Sequence, residues 1–194
     1  MIHFNCKYFT AFSLILFLFI SFSQGAELNK AENFTLKDYN GKTHSLSDYT
    51  DSSAIVVMFI ATQCPVSNAY NSRMVALYQD YHQKGVAFIA INSNKQESIE
   101  EISQHAQKNG FHFPVLKDPD NMVADKYDAQ VTPEIFVVNS DFDVLYHGRI
   151  DDSQRESEIS SQDLRNALDE ILAGKPVAKK ETKAFGCTIK RVKK

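Results

Sequence analysis

Hydrophobic and polar positions follow two periods that take turns along the chain. Asn33-Phe34-Thr35-Leu36 and Thr43-His44-Ser45-Leu46 alternate on either side of Asp38-Tyr39-Asn40-Gly41-Lys42, and Asn-Gly between alternating segments predicts a β-hairpin. Ala54-Ile55-Val56-Val57-Met58-Phe59-Ile60 is continuously apolar and β-branched, as a strand buried on both faces should be. Beyond Cys64-Pro65 the period lengthens. Val66, Ala69, Tyr70, Leu77, Tyr78 and Tyr81 share one helical stripe, which Lys84-Gly85 closes.

The alternation repeats. Val86-Ala87-Phe88-Ile89-Ala90-Ile91 predicts a second buried strand, and Ile99, Ile102 and Ala106 mark an amphipathic helix ending at Asn109-Gly110. Asp118-Pro119-Asp120-Asn121 reads as a turn rather than a calcium loop, since the alternating ligands and distal Glu are missing. A short helical segment follows around Met122 to Tyr127. Ile135-Phe136-Val137-Val138 and Val144-Leu145-Tyr146-His147 are two more strands, and Leu164, Leu168, Ile171 and Leu172 stripe a last helix that Gly174 stops before Pro176. This order is α/β, with a central sheet and helices on its faces.

The N-terminus departs from both periods. Lys7 is the only charge before Glu27, Ala11 to Ile20 is almost wholly apolar, and small residues follow at Ser21, Ser23, Gly25 and Ala26. That order predicts an export signal over residues 1–26, cut after Gly25 or Ala26, with an uncleaved anchor as the alternative. The apolar run is shorter than the ~20 residues of a spanning helix, so no stable membrane span is expected after cleavage. Cys6 leaves with the signal. A periplasmic or secreted location then lets disulfides persist between the two remaining cysteines, Cys64 and Cys187.

With 194 residues, 43% of them hydrophobic, the chain suits one domain, expected at residues 27–178. A net charge of −3 gives no reason to expect nucleic acid as a partner. Charge is nonetheless uneven. Residues 179–194 form a tail with seven basic side chains against Glu181, a net of +6, and leave −10 on residues 27–178. The tail is either solvated and folded back on an acidic body, or a mobile arm that carries Cys187 to it.

The chemistry gathers at Cys64, which joins a buried strand to a helix start with Pro65 in the first turn. Open backbone N–H groups and the positive end of a helix dipole favour thiolate there. Thr62 and Ser67 carry hydroxyls that can donate to such a thiolate, and a buried inert cysteine is the alternative. Thr132-Pro133 enters a predicted strand, where a proline gives up a ladder donor; from the residues alone a trans bond is the expectation. His44, His82, His105, His112 and His147 show no ligand spacing with either cysteine, so neither metal nor organic cofactor is expected.

Cys64-Pro65-Val66-Ser67 after an apolar strand, Thr132-Pro133 before Ile135 to Val138, and Tyr146-His147-Gly148 together resemble the thioredoxin-like superfamily. The likeness is to its redoxin branch, the alkyl hydroperoxide reductase and thiol-specific antioxidant family, and to exported peroxiredoxin-like members. It covers roughly residues 30–174, and Gly186-Cys187-Thr188-Ile189-Lys190 looks like a tail motif of the same subgroup. The resemblance implies a thioredoxin-like fold with a mixed sheet and an N-terminal hairpin extension. It also implies a cis-proline loop at Thr132-Pro133 lying against Cys64, with Pro65, Thr132 and Pro133 shaping a substrate groove. The implied activity is thiol-dependent oxidoreduction, of protein disulfides or of hydroperoxides, fed by an external thiol or dithiol.

Departures matter too. Ser67 stands where the thioredoxin pattern has its second cysteine and cannot resolve a mixed disulfide, so Cys187, another protein or a small thiol must. Ala61 stands where peroxiredoxins have a threonine, with Thr62 one place late. That family also implies an arginine near the start of the strand after Pro133; none stands there, which leaves Arg73 and Arg149 as the candidates in the central body to assist a peroxide. Cys187 is a resolving thiol, a structural partner of Cys64, or a spare. A bridge closing more than 100 residues would constrain the unfolded chain by ~4–5 kcal/mol, so a structural staple in a redox-inactive binding module is the rival reading. Asp151-Asp152 is expected to serve as a cap or solvated loop.

Overall fold

The computed structural model describes Met1 and residues 29–193. Apart from Met1, the expected export signal with Cys6 lies outside these residues. The hairpin forms from β1 (Thr35–Asp38) and β2 (Thr43–Ser45), turning through Gly41 at φ 82°. The Asp38 carboxylate accepts from Asn40 N (2.8 Å) and Lys42 N (2.9 Å), which satisfies the turn's own donors. β3 (Ala54–Phe59) and β4 (Val86–Asn92) are the two long apolar runs and pair in parallel. β5 (Val115–Lys117) continues the parallel set, while β7 (Glu134–Val138) runs antiparallel to β3 and β8 (Val144–Gly148) antiparallel to β7. The sheet order is β2-β1-β5-β4-β3-β7-β8. The two β-branched runs thus take neighbouring places inside the sheet, where both faces are covered.

Alternation along these strands divides the core. Val56, Met58, Phe88, Ala90, Ile135 and Val137 face α2 (Asn71–Tyr81), α3 (Ile99–Asn109) and α5 (Asp163–Leu172), which supply Met74, Leu77, Ile102, Leu164 and Leu168. Ile55, Val57, Phe59, Ile89, Ile91 and Phe136 face the other way, onto Val123 and Ala124 of α4 (Met122–Lys126) and onto Tyr127. Helix ends follow their local chemistry. Ser98 caps α3 reciprocally with Glu101, and Gly110 at φ 67° closes it.

Three local readings change. The helix expected from Cys64 onward is two pieces, the single turn α1 (Pro65–Asn68) and then α2, with Tyr70 between them. The Ala69 carbonyl accepts from the Arg73 guanidinium (3.1 Å), and Tyr70 N turns back to Ser67 O (3.0 Å) in a tighter turn. Ile99, placed on the buried stripe, is 53% exposed because it occupies the first helical position. The basic C-terminal segment is neither free nor a bare solvated run. Thr182 N donates to His147 O (2.9 Å), β9 (Cys187–Thr188) pairs antiparallel with β6 (Val131–Thr132), and Ile189 is buried in the second core.

Phe136 is fully buried, edge-on to Phe59 (5.9 Å) and Tyr127 (5.2 Å) and stacked on His147 (4.3 Å). Phe136→Ala is expected to cost about 3–5 kcal/mol in urea unfolding of the oxidised protein. A loss below about 1 kcal/mol would mean this junction is not packed as described.

Candidate active site at the Cys64–Cys187 pair

Register places the site. Phe59 on β3 faces Glu134 on β7, so the residues after β3 run beside those before β7. The first group leads to Cys64 and the second is Thr132-Pro133, whose peptide bond is cis. Cys64 Sγ lies 3.4 Å from Thr132 O. Cys64 is the N-cap of α1 with Pro65 at the first helical position, where a missing N–H is no loss. Cys187 arrives on β9 directly opposite Thr132, its Cα 5.9 Å from that of Cys64, and the two form a disulfide. Cys64 is buried, but Cys187 is half-buried, and the pair lines an open cleft of about 220 Å³ with Gln63, Asn94, Glu97, Thr188 and Lys190.

The expected hydroxyl donors do different work. Ser67 N, not its hydroxyl, donates to Cys64 Sγ (3.3 Å), while Ser67 Oγ accepts from Ala61 N (3.2 Å) and holds the incoming strand against α1. Thr62 Oγ1 is buried with no hydrogen-bond partner among the described residues. Because α1 is one turn long, the charge-favouring feature at the sulfur is the local Ser67 N–H rather than an extended helix dipole. Arg73 and Arg149 are both committed elsewhere. Arg73 grips Asp151 (2.7 and 2.8 Å) and the carbonyls of Ser153 and Gln154, and Arg149 pairs with Asp163 (2.7 Å). Asp152 caps its own loop by accepting from Ser160 N and Ser161 N (both 2.9 Å).

Two buried carboxylates that sequence reasoning missed brace the two loops of the site. Glu97, only 2% exposed, accepts from Thr62 N (2.7 Å), Gln63 N (3.1 Å) and Asn92 Nδ2 (2.5 Å). Lys117 joins the same cluster, donating to Asn94 O (2.6 Å) and Glu97 O (2.8 Å). Burial lowers the Lys117 pKa, and the Glu97, Asp118 and Glu101 carboxylates act against that shift. Glu134 accepts from Gln130 N (2.7 Å) and Val131 N (3.1 Å) with its other oxygen 2.7 Å from His147 Nε2. The position of Glu134 directly after Thr132-Pro133, and a polar Asn92-Ser93-Asn94 closing an apolar strand, were the available signals.

Glu97→Gln turns one acceptor into a donor that faces the Thr62 and Gln63 amides. It should speed hydrogen exchange at those two amides and cost about 1–3 kcal/mol of stability. Unchanged exchange there would show that the carboxylate does not hold the loop.

The chain is 31% identical over 125 residues to thiol-disulfide oxidoreductase ResA of Bacillus subtilis (strain 168), covering 64% of this chain. It spans 66% of that relative's length, just under two thirds. A solved uncharacterized conserved protein from Geobacillus kaustophilus superposes with a TM-score of 0.80 at 36% identity, over 85% of this chain and 92% of that one. The thioredoxin domain of a thiol-disulfide oxidoreductase from Bacteroides vulgatus superposes with a TM-score of 0.56 at 17% identity, over 64% of this chain and 89% of that one, and speaks for the thioredoxin-like fold alone. The AhpC/TSA family pattern matches residues 28–147, which run from before the hairpin into β8. The chain therefore belongs to the AhpC/TSA family.

Proposed function

We propose that this chain is a thiol-disulfide oxidoreductase of the redoxin type, with Cys64 as nucleophile and Cys187 as resolving thiol. The observation that carries the reading is the pairing of Cys64, beside the cis-Pro133 loop, with a Cys187 that stays half-buried at an open cleft. A staple that served stability alone would gain nothing from facing solvent. Here a thiolate can approach the bond.

In the reduced form the Cys64 thiolate attacks one sulfur of a substrate disulfide. A Cys64–substrate disulfide forms and the second substrate sulfur leaves as thiolate. Cys187, deprotonated to solvent, then attacks Cys64 Sγ and releases the first substrate sulfur. The substrate gains two electrons and the internal disulfide holds the oxidised state until an external dithiol reduces it. Ser67 N–H steadies the Cys64 thiolate, and Thr132 with Pro133 presents backbone to the substrate. Disulfides are the favoured substrate over hydroperoxides, because both candidate arginines are held by Asp151 and Asp163. The N-terminal segment 1–26 acts as an export signal, which delivers the pair to a periplasmic or extracellular space.

Intact-mass titration with dithiothreitol followed by alkylation tests the reading. The folded protein should gain two alkyl groups, and Cys64→Ser should lose at least about 100-fold in kcat/KM for a protein disulfide. Cys187→Ser should stall as a trapped mixed disulfide. Undiminished turnover in Cys64→Ser, or a pair that opens only on unfolding, would support the binding-module alternative.

A further inference from the structure

We infer that the groove filled by residues 186–192 is a binding site for an extended, cysteine-bearing strand of a substrate protein. The matching strand has glycine before its cysteine and an aliphatic residue two places after it. The inference rests on the thiol-disulfide reading and adds the substrate class to it.

The chain's own tail is held there largely through its backbone. Cys187 pairs with Thr132 in strand register, and Ile189 N donates to Gln130 O (2.9 Å). Lys190 N donates to Asn94 Oδ1 (2.8 Å), and Lys190 O accepts from Lys95 N (2.9 Å). Val192 N reaches Asn121 Oδ1 (2.7 Å). Such contacts are indifferent to side chains, so any extended strand can make them. Selectivity comes from three places, the first being Arg191, whose guanidinium pairs with Asp125 (2.8 Å) and donates to Ala129 O (2.5 Å). A Cβ at Gly186 would collide with the carbonyl of Thr132, and Ile189 is 3% exposed among apolar core residues. Thr188 and Lys190 between them face solvent and impose nothing.

The same groove then serves both halves of the exchange. A substrate strand displaces the reduced tail, and the Cys64 thiolate attacks its disulfide sulfur, forming the Cys64–substrate bond and releasing the partner thiolate. The returning tail brings the Cys187 thiolate onto Cys64 Sγ. That step reforms the internal disulfide and expels the substrate strand as a thiolate. Tail and substrate compete, so loosening one favours the other.

The test uses the full chain carrying Cys187→Ser, reduced, and a peptide matching residues 184–191 whose cysteine is activated as a mixed disulfide with thionitrobenzoate. Attack by Cys64 joins it to the peptide and releases coloured thionitrobenzoate. Peptides with Gly186→Ala or Ile189→Asp should each react about tenfold more slowly than the parent. Ile189→Asp placed in the protein's own tail should do the opposite and speed the parent peptide severalfold. Equal rates for the three peptides would overturn the inference, as would a protein-side Ile189→Asp that folds and leaves the parent rate unchanged or lower. If that variant does not fold, the peptide series alone decides. Free dithiobis(nitrobenzoate) separates the two readings. Should it oxidise Cys64 while the three peptides react alike, only the groove falls; should nothing react, the thiol-disulfide reading falls with it.

Discussion

A single crossing organises the functional end of this molecule. The antiparallel register of β3 and β7 brings two loops side by side, one ending in Cys64 and the other in Thr132 and cis-Pro133. Cys187 closes the crossing by adding a third strand segment to Thr132 and bonding to Cys64. Everything the site can do follows from holding these three backbone segments within a few ångströms, because a thiolate reacts only with a sulfur it can reach in line.

Such a meeting of loops is costly unless their backbone donors are satisfied, and the two buried glutamates answer that need. Glu97 takes the two N–H groups just before Cys64, and Glu134 takes two N–H groups just before the cis-proline. Each carboxylate thereby satisfies backbone N–H groups of a segment that meets at the sulfur. Each is also tied into the body: Glu97 through Asn92 at the end of β4, Glu134 through His147 on β8. The site is positioned by the sheet through these acids as well as by the chain.

The sheet was legible because its strands are extreme in composition. The runs at 54–60 and 86–91 could hardly be anything but doubly buried strands, and Asn40-Gly41 announced the hairpin. Cys64 stood out at a strand-to-helix junction, whereas the cis-proline loop at Thr132-Pro133 was implied only by the family resemblance. What stayed hidden was tertiary. β5 is three residues long behind Pro114, and β6 and β9 are two each, too short to show a period. The tail's lysines masked Ile189, whose burial depends on a groove formed by residues about sixty positions away. Glu97 and Glu134 read as ordinary surface acids until the fold aimed backbone N–H groups at them. Ser67 does meet the sulfur, but through its backbone N–H rather than its hydroxyl, and the Thr62 hydroxyl has no hydrogen-bond partner among the described residues.

As a working redox bond, Cys64–Cys187 should govern the tail and not the body, so that it can open and close while the fold persists. Native-state hydrogen exchange on the oxidised and reduced protein tests this directly. The amides of Ile189, Lys190 and Val192 should exchange at least about tenfold faster after reduction, with those of β3 and β4 unchanged. Equal acceleration across β3, β4 and the tail would contradict the account, since the disulfide would then be a staple of the whole domain rather than a working bond.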